Sequence, residues 1–428
     1  TDMAAKSWIT YPEDCEFPIE NLPYGVFHKA GETPCKARAA TAIGAFVVDL
    51  AALEAAGVFS AAGLAANTFS HPSLNNFMAA GKKVWSAVRQ TLVSLFNGTN
   101  GALQNDETLK ASVLIPHAEA VLLMPARIGD YTDFYSSREH ATNLGKMFRP
   151  NDAPLLPNWL WLPVGYHGRA SSVVVSGTDV RRPRGQTKAK DAAEPTYTSC
   201  KRLDYELEMA FFVGPGNKLG DSIDMKDADD HIFGLTLMND WSARDVQSWE
   251  YVPLGPFTAK NFATTVSPWI ITLEALEPFR VVGPAQDPAV LSYLKDPCTK
   301  GASYDIHLEV HLLNDALKAP HVLSRGNFKY MYWSMRQQLV HHTVSGCNMN
   351  PGDLLGSGTI SGPDADSYGS LIELSVNATK PIALENGTSR TFIEDGDSIA
   401  MIGFCQGQGY RIGFGPCVGK ILPAHPVQ

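Results

Sequence analysis

The sequence predicts a mixed β/α chain that is mainly β. A small N-terminal α+β domain covers residues 1–125, and a large, mostly antiparallel, rolled or barrel-like β domain covers residues 126–428. Three observations predict this. Ser73–Phe96 places Phe77, Val84, Val88, Leu92 and Leu95 on one side of a helix, and "NGTNG" ends it. Beyond Pro125, strand-like runs punctuated by Gly and Pro take over. Those runs lack the regular alternation with helices that a doubly wound parallel sheet requires.

Taken in order, Tyr24 to about Phe69 reads as short strands passing into an Ala-rich helical region, followed by the 73–96 helix. In the second domain the strand-like runs are "SSVVVSG", "LEMAFFVG", "IFGLTLMND", "PWIITLEAL", "DIHLEVHLLND", "SLIELSV", "DSIAMIGFC" and "GYRIGFG". The basic stretch "RRPRGQTKAK" (Arg181–Lys190) is short and flanked by turn formers, so a solvated loop is expected there. No periodic repeat or low-complexity tract interrupts the pattern.

With 44% hydrophobic residues, the chain can build a core without disulfide or metal staples. Acidic residues outnumber basic ones, 44 to 35, and the net charge of -9 argues against nucleic acid as a partner. The seven cysteines are odd in number, scattered and never in C-x-x-C spacing, which favours a reducing compartment and no cysteine zinc site. Lys6, Glu13, Asp14 and Glu16 interrupt any secretory signal, and Asp49 and Glu54 break the longest apolar region. A soluble cytoplasmic protein without a membrane partner is expected.

Several common catalytic signatures are absent. "GTISG" has its serine one place too late for a nucleophile elbow. "GQGYRIGFG" puts Ile412 where a dinucleotide loop needs its third glycine. Neither G-x-x-x-x-G-K-[ST] nor H-E-x-x-H occurs. His307, Glu309 and His311 share one strand face, a set that suits zinc or iron, but the alternation with Ile306, Leu308, Val310 and Leu312 reads as an amphipathic strand with its polar side in solvent. His341 and His342 are adjacent, so on a strand they point to opposite faces and read as structural.

The stretch "RLDYELEMAFFVG" (Arg202–Gly214) puts Glu206 and Glu208 on one strand face, roughly 7 Å apart at Cβ, just before an apolar run. Two carboxylates brought to about 4 Å repel by about 4 kcal/mol at an effective dielectric of about 20. On a solvated face little is lost; in an enclosed one a cation must lie between them, and all-oxygen ligands select Mg²⁺ or Ca²⁺. Further carboxylates are on offer. Asp240 closes an apolar strand, either as a ligand or as the N-cap of a following helix. Asp133 and His140 are seven apart, so on a helix they share a face.

Five blocks, "DYTDFYSSREHATNLGKMFRP", "LLPNWLWLPVGYHGRASSVVVSGT", "LDYELEMAFFVGPGN", "LMNDWSARDVQSWEYVPLGPF" and "SGTISGP", together resemble the fumarylacetoacetate hydrolase family in order and spacing. The likeness runs from about Leu22 to the C-terminus. It implies an SH3-like N-terminal domain, a β-roll C-terminal domain and a homodimer. It also implies a reaction: metal-dependent hydrolysis of the carbon–carbon bond of 4-fumarylacetoacetate to fumarate and acetoacetate, the last step of tyrosine and phenylalanine breakdown. The alternative is a related diketo-acid hydrolase, decarboxylase or isomerase of the wider superfamily; the His140 block, "GYHGRASS" and the long N-terminal domain fit the narrower family better.

By the same resemblance Asp133, Glu206, Glu208 and Asp240 match the metal carboxylates, and Lys260 and Thr264 match the loop beside the metal, where Ala263 stands in place of a frequent glycine. The cation implied is Mg²⁺ or Ca²⁺, chelating a diketo diacid so that the carbon leaving group departs as an enolate. His140 is the implied general base, oriented by Glu373, although alone in "SLIELS" Glu373 reads as an exposed strand residue. Arg244, Gln247 and Lys260 match the oxyanion donors, and Lys260 also matches a proton donor to the departing carbon. Arg149 is implied to hold a substrate carboxylate, with Tyr135, Tyr166, Gln247, Tyr251 and Thr359 as further substrate contacts.

Overall fold

The computed structural model describes residues 6–426. Its N-terminal part is a five-stranded, SH3-like antiparallel sheet, in spatial order 114–116, 46–49, 38–43, 24–29 and 120–123. Asp49 ends one of these strands and starts the helix Leu50–Ala55 by accepting from the Ala52 amide at 3.0 Å, while its other oxygen takes Arg38 Nε at 2.6 Å.

The helical pattern expected over 73–96 is two helices, Asn75–Ala79 and Lys82–Phe96. They are separated at Gly81, whose φ of +83° lies in the left-handed region that favours glycine. The longer helix buries Trp85, Val88, Leu92, Leu95 and Phe96. Trp85 and Phe77 then meet Phe233 of the second domain edge-on, at centroid distances of 5.2 and 5.6 Å.

That contact covers one face of the main sheet, which has eight strands. Its path runs 165–168, 131–134, 354–356, 207–213, 232–240, 264–266 and 173–175, with 271–272 also paired to 232–240. Most pairings are antiparallel; 354–356 with 131–134 and 264–266 with 173–175 are parallel. The strand Leu207–Val213 is buried on both sides: Leu207, Met209, Phe211 and Val213 enter one core, Ala210 and Phe212 the other. A second sheet, of six strands, runs 321–327, 307–313, 398–406, 417–422 and 180–181, with 411–413 also paired to 398–406.

Other local readings differ as well. "SLIELSV" carries a helical turn, Leu371–Leu374, rather than a strand. In "PWIITLEAL" only Ile271–Thr272 is strand before the helix Leu273–Leu276. The basic stretch is not a plain loop, because Arg184–Thr187 forms a hairpin with Thr196–Ser199. His341 and His342 lie on the helix Met335–Thr343, where they bond Tyr293 and Thr132 at 2.9 and 2.8 Å. Asp240 ends its strand, but the N-cap of the helix Arg244–Glu250 is Ala243.

The 307–313 strand alternates as its sequence indicated, with Leu308, Val310 and Leu312 buried, and Glu309 accepts from His311 at 2.7 Å and from Arg325 at 3.1 Å. All seven cysteines are free thiols. Among the described residues no helix is long and apolar enough to cross a membrane.

Candidate active site

Asp133, Glu208 and Asp240 come from three strands of the eight-stranded sheet, and the sheet register brings them together. Asp133 stands beside Gly356, Gly356 stands opposite Ala210, and Asp240 lies at the far end of the strand paired with Leu207–Val213. Each carboxylate is essentially buried, and each offers an oxygen within 4.8 Å of the other two. They form the one cluster of three or more such ligands among the described residues.

Asp133 Oδ1 and Glu208 Oε1 are buried without a hydrogen-bond partner, while Glu208 Oε2 accepts from the Gly358 amide at 2.9 Å. Burial, and then mutual repulsion, pushes Asp133 and Glu208 well above the usual carboxylate range. Asp240 is also raised by burial, against the pull of Lys260. Orphaned anionic oxygens aimed at one point, with no nitrogen or sulfur donor among them, fit a hard divalent cation.

Glu206 stands apart from that convergence. The strand breaks at Tyr205, and Glu206 makes only an isolated bridge to Ser370. Its Oε1 faces Arg244 Nη1 at 2.8 Å and His140 Nε2 at 3.9 Å, and its Oε2 pairs with Lys260. Burial alone would raise its pKa, but Lys260, Arg244 and His140 outweigh it and hold the carboxyl well below its ordinary range. Lys260 also reaches Asp240 Oδ2 at 2.6 Å, linking Glu206 to the triad. Burial works against the Lys260 charge, yet Asp240 and Glu206 keep its pKa raised. Thr264 Oγ1 lies 3.5 Å from Asp240 Oδ1, and the Tyr166 hydroxyl donates to Asp240 Oδ2 at 3.1 Å.

His140 is not on one helix with Asp133. Asp133 is in the strand Tyr131–Phe134 and His140 in the first turn of the helix Arg138–Phe148, whose N-cap Ser137 accepts from the His140 amide. The His140 Nδ1 donates to Glu373 Oε2 at 2.7 Å. Glu373, read from sequence as exposed, is instead 1% exposed on the 371–374 helix. Its carboxylate also accepts from Asn143 Nδ2 at 2.9 Å, from Ser361 Oγ at 3.0 Å and from Ser370 Oγ at 2.7 Å. Burial raises its pKa, but His140 and these donors overcome that and keep it lowered, hence ionised.

Sequence reading did not single out Asn143, Ser361 or Ser370. Asn143 carried a usable signal, since it lies three residues after His140 on a helix. The serines carried none, because only the tertiary fold brings them to Glu373.

A cavity of about 420 Å³ opens beside this cluster. Its inner wall includes Asp133, His140, Glu206, Glu208, Arg244 and Lys260. Tyr135, Arg149, Tyr166, Gln247, Tyr251 and Thr359 also line it. Asp240, Thr264 and Glu373 stand behind the wall rather than in it. Arg149 closes the His140 helix, donates from Nη2 to Pro154 O at 3.0 Å and keeps a buried Nε without a partner. Tyr251 and Leu254 sit at the exposed mouth.

Gly356 tests the cation reading. A Cβ there would lie 2.7 Å from Asp133 Oδ1 and 3.0 Å from Glu208 Oε2. Gly356→Ala is expected to weaken Mg²⁺ or Ca²⁺ binding by roughly tenfold, the lower end of what disturbing the support of a metal ligand does. Titration calorimetry checks this; wild-type affinity would mean that these oxygens do not meet at an ion.

Residues 20–125 match the family model described as fumarylacetoacetase N-terminal, and residues 130–421 match that described as fumarylacetoacetate hydrolase C-terminal. The chain is 53% identical over 420 residues to a fumarylacetoacetase of Homo sapiens, covering 98% of this chain and 99% of that one. It is 51% identical over 423 residues to one of Arabidopsis thaliana, with the same coverage of 98% and 99%. A solved fumarylacetoacetate hydrolase from Exiguobacterium antarcticum shares the fold at a TM-score of 0.50 and 16% identity, over 94% of this chain and 99% of that one.

Proposed function

Because the chain belongs to the fumarylacetoacetate hydrolase family, we propose that it hydrolyses the carbon–carbon bond of 4-fumarylacetoacetate to fumarate and acetoacetate, closing tyrosine and phenylalanine breakdown. The observation that carries the reading is a base-type pair, His140–Glu373, facing the same cavity as a buried acidic triad.

An ionised carboxylate only accepts hydrogen bonds, so Glu373 fixes the His140 proton on Nδ1 and leaves the Nε2 lone pair toward the cavity. Nε2 takes a proton from water as the oxygen attacks the ketone carbon. That proton is the one the departing methylene carbon regains when the carbon–carbon bond breaks, so the products balance as one acid and one methyl ketone. Arg244 keeps Nη2 buried and without a partner, ready to donate to the oxyanion, with Gln247 beside it. Lys260, held charged by two carboxylates, acts as a fixed cation.

Asp133, Glu208 and Asp240 would hold Mg²⁺ or Ca²⁺, with Glu206, Lys260 and Thr264 alongside. When bound, such an ion supplies Lewis-acid polarisation of the ketone oxygens and stabilises the charge left on the departing carbon. The family resemblance further supports a homodimer, action in the cytoplasm, and a domain division of 1–125 and 126–428.

Arg149 binds a substrate carboxylate through its free Nε edge, and Tyr135, Tyr166, Tyr251 and Thr359 shape the remaining contacts. Arg149→Met is therefore expected to raise KM by roughly 10- to 100-fold, the worth of a charge-assisted hydrogen bond or two, with kcat little changed. Unaltered KM would remove Arg149 from the substrate. The function as a whole is tested by supplying fumarylacetoacetate to the Mg²⁺- or Ca²⁺-loaded protein and measuring fumarate and acetoacetate. Failure to release both refutes it.

A further inference from the structure

Asp204 lies outside the cavity and is 0% exposed, yet its carboxylate touches both halves of the site. Its Oδ2 accepts from Arg244 Nε at 2.9 Å and from the Ile372 amide at 3.0 Å. Its Oδ1 accepts from the Leu371 amide at 2.8 Å and from the Tyr205 amide at 2.9 Å. Leu371 and Ile372 open the short helix whose next residue is Glu373.

The N-cap of that helix, Ser370, makes no capping bond, because its hydroxyl is turned to Glu373. A carboxylate 167 residues earlier thus satisfies the helix's first amides in its place. Burial pushes the Asp204 carboxyl upward, and Arg244 and the amides oppose this. The contacts decide the protonation state: every neighbour at its two oxygens is a donor and none is an acceptor, so the ionised form is the one they satisfy.

On the Arg244 side, Asp204 occupies Nε, while Glu206 and Gln247 share Nη1 at 2.8 and 3.2 Å. Nη2 is the nitrogen left over. The plane of the guanidinium is therefore set from its back edge, and with it the direction of the free donor.

We propose that Asp204 is a positioning residue that holds the oxyanion donor Arg244 and the His140–Glu373 pair in mutual register. The proposal rests on the roles given above to Arg244 and His140. A displacement of about 1 Å at a reacting geometry costs on the order of 10²-fold in rate. Asp204→Asn puts an amide N–H₂ against two of the donors, so its kcat is expected to fall by about that factor with KM nearly unchanged.

The deciding experiment is a double-mutant cycle with Arg244→Lys, read in kcat on the Mg²⁺- or Ca²⁺-loaded protein. If Asp204 works through Arg244, the double variant loses far less than the product of the single losses. Multiplying losses, or wild-type kcat in folded Asp204→Asn, overturn the proposal. Where Asp204→Asn does not fold, Asp204→Glu keeps the charge and moves the oxygens; it is expected to fold and to turn over at least tenfold more slowly. Wild-type turnover in Asp204→Glu, or failure of both variants to fold, also overturns it. Parallel wild-type assays separate the two levels: an inactive wild type refutes the assigned reaction, whereas an active wild type matched by its variants refutes only the role of Asp204.

Discussion

His140→Ala lowers kcat by roughly 10³- to 10⁴-fold, the upper range of what a positioned general base contributes. Cation binding and folding survive the change. The fold persists because Glu373, the charge that His140 leaves behind, still accepts from Asn143, Ser361 and Ser370. A buried carboxylate with those donors is not an orphan, so the large penalty of an uncompensated internal charge is avoided. The cation site persists because His140 is not one of the three converging ligands, and apart from Glu373 the carboxylate it approaches is Glu206, at 3.9 Å. Stopped-flow or steady-state assay of diketone loss reads the first effect, and calorimetric titration with Mg²⁺ or Ca²⁺ reads the second. If affinity for the ion falls in step with kcat, His140 is a ligand or a structural residue; if kcat holds, the base lies elsewhere.

The same residues show what a linear reading reaches. The strand character of Leu207–Val213 is visible because apolar residues enter two cores on alternate sides, a period-2 signal that any sheet writes into its sequence. Glu206 and Glu208 stand out against that run. Their division of labour does not: period 2 assigns both to one face, whereas the break at Tyr205 sends Glu206 to Arg244 and Lys260 and leaves Glu208 with Asp133 and Asp240. The break is held by Asp204 and Ser370, and Ser370 is far away in the chain.

Glu373 is the opposite case. Between Ile372 and Leu374 it has the local pattern of a surface strand, and it is a buried helical residue because His140, Asn143, Ser361 and Ser370 surround it. Long-range satisfaction of a polar group overrides local periodicity, and periodicity is all that a window of sequence records. The resemblance of whole blocks supplied the connection that spacing could not.

Glu208→Gln should reverse the order of stability according to whether a cation is present. In chelator the variant is the more stable protein. The wild-type site then holds three buried carboxylates within 4.8 Å of one another, two of them with an oxygen that has no partner. The substitution removes one of these titrating acids and places an amide donor where Asp133 Oδ1 lacks one, a gain of about 1.5–3 kcal/mol when that acceptor is charged.

The pH dependence has a definite sign. Burial and mutual repulsion raise the folded-state pKa values of Asp133 and Glu208, and burial raises that of Asp240. The folded chain therefore binds more protons than the unfolded chain above about pH 4, where unfolded carboxyls titrate. The stability associated with the protonated forms is fully present below that pH and is lost as pH rises through the raised values. Chelated wild type should thus lose melting temperature on raising pH, and chelated Glu208→Gln should lose less. With Mg²⁺ or Ca²⁺ at about 100 times its dissociation constant, the wild type gains about 2.7 kcal/mol and its slope flattens. The variant, its affinity reduced more than about 10²-fold by loss of a direct ligand, gains almost nothing. Differential scanning calorimetry across pH, with and without chelator, separates these four curves. Coincident melting of the two proteins in both conditions would mean that Asp133, Glu208 and Asp240 do not act together on one ion.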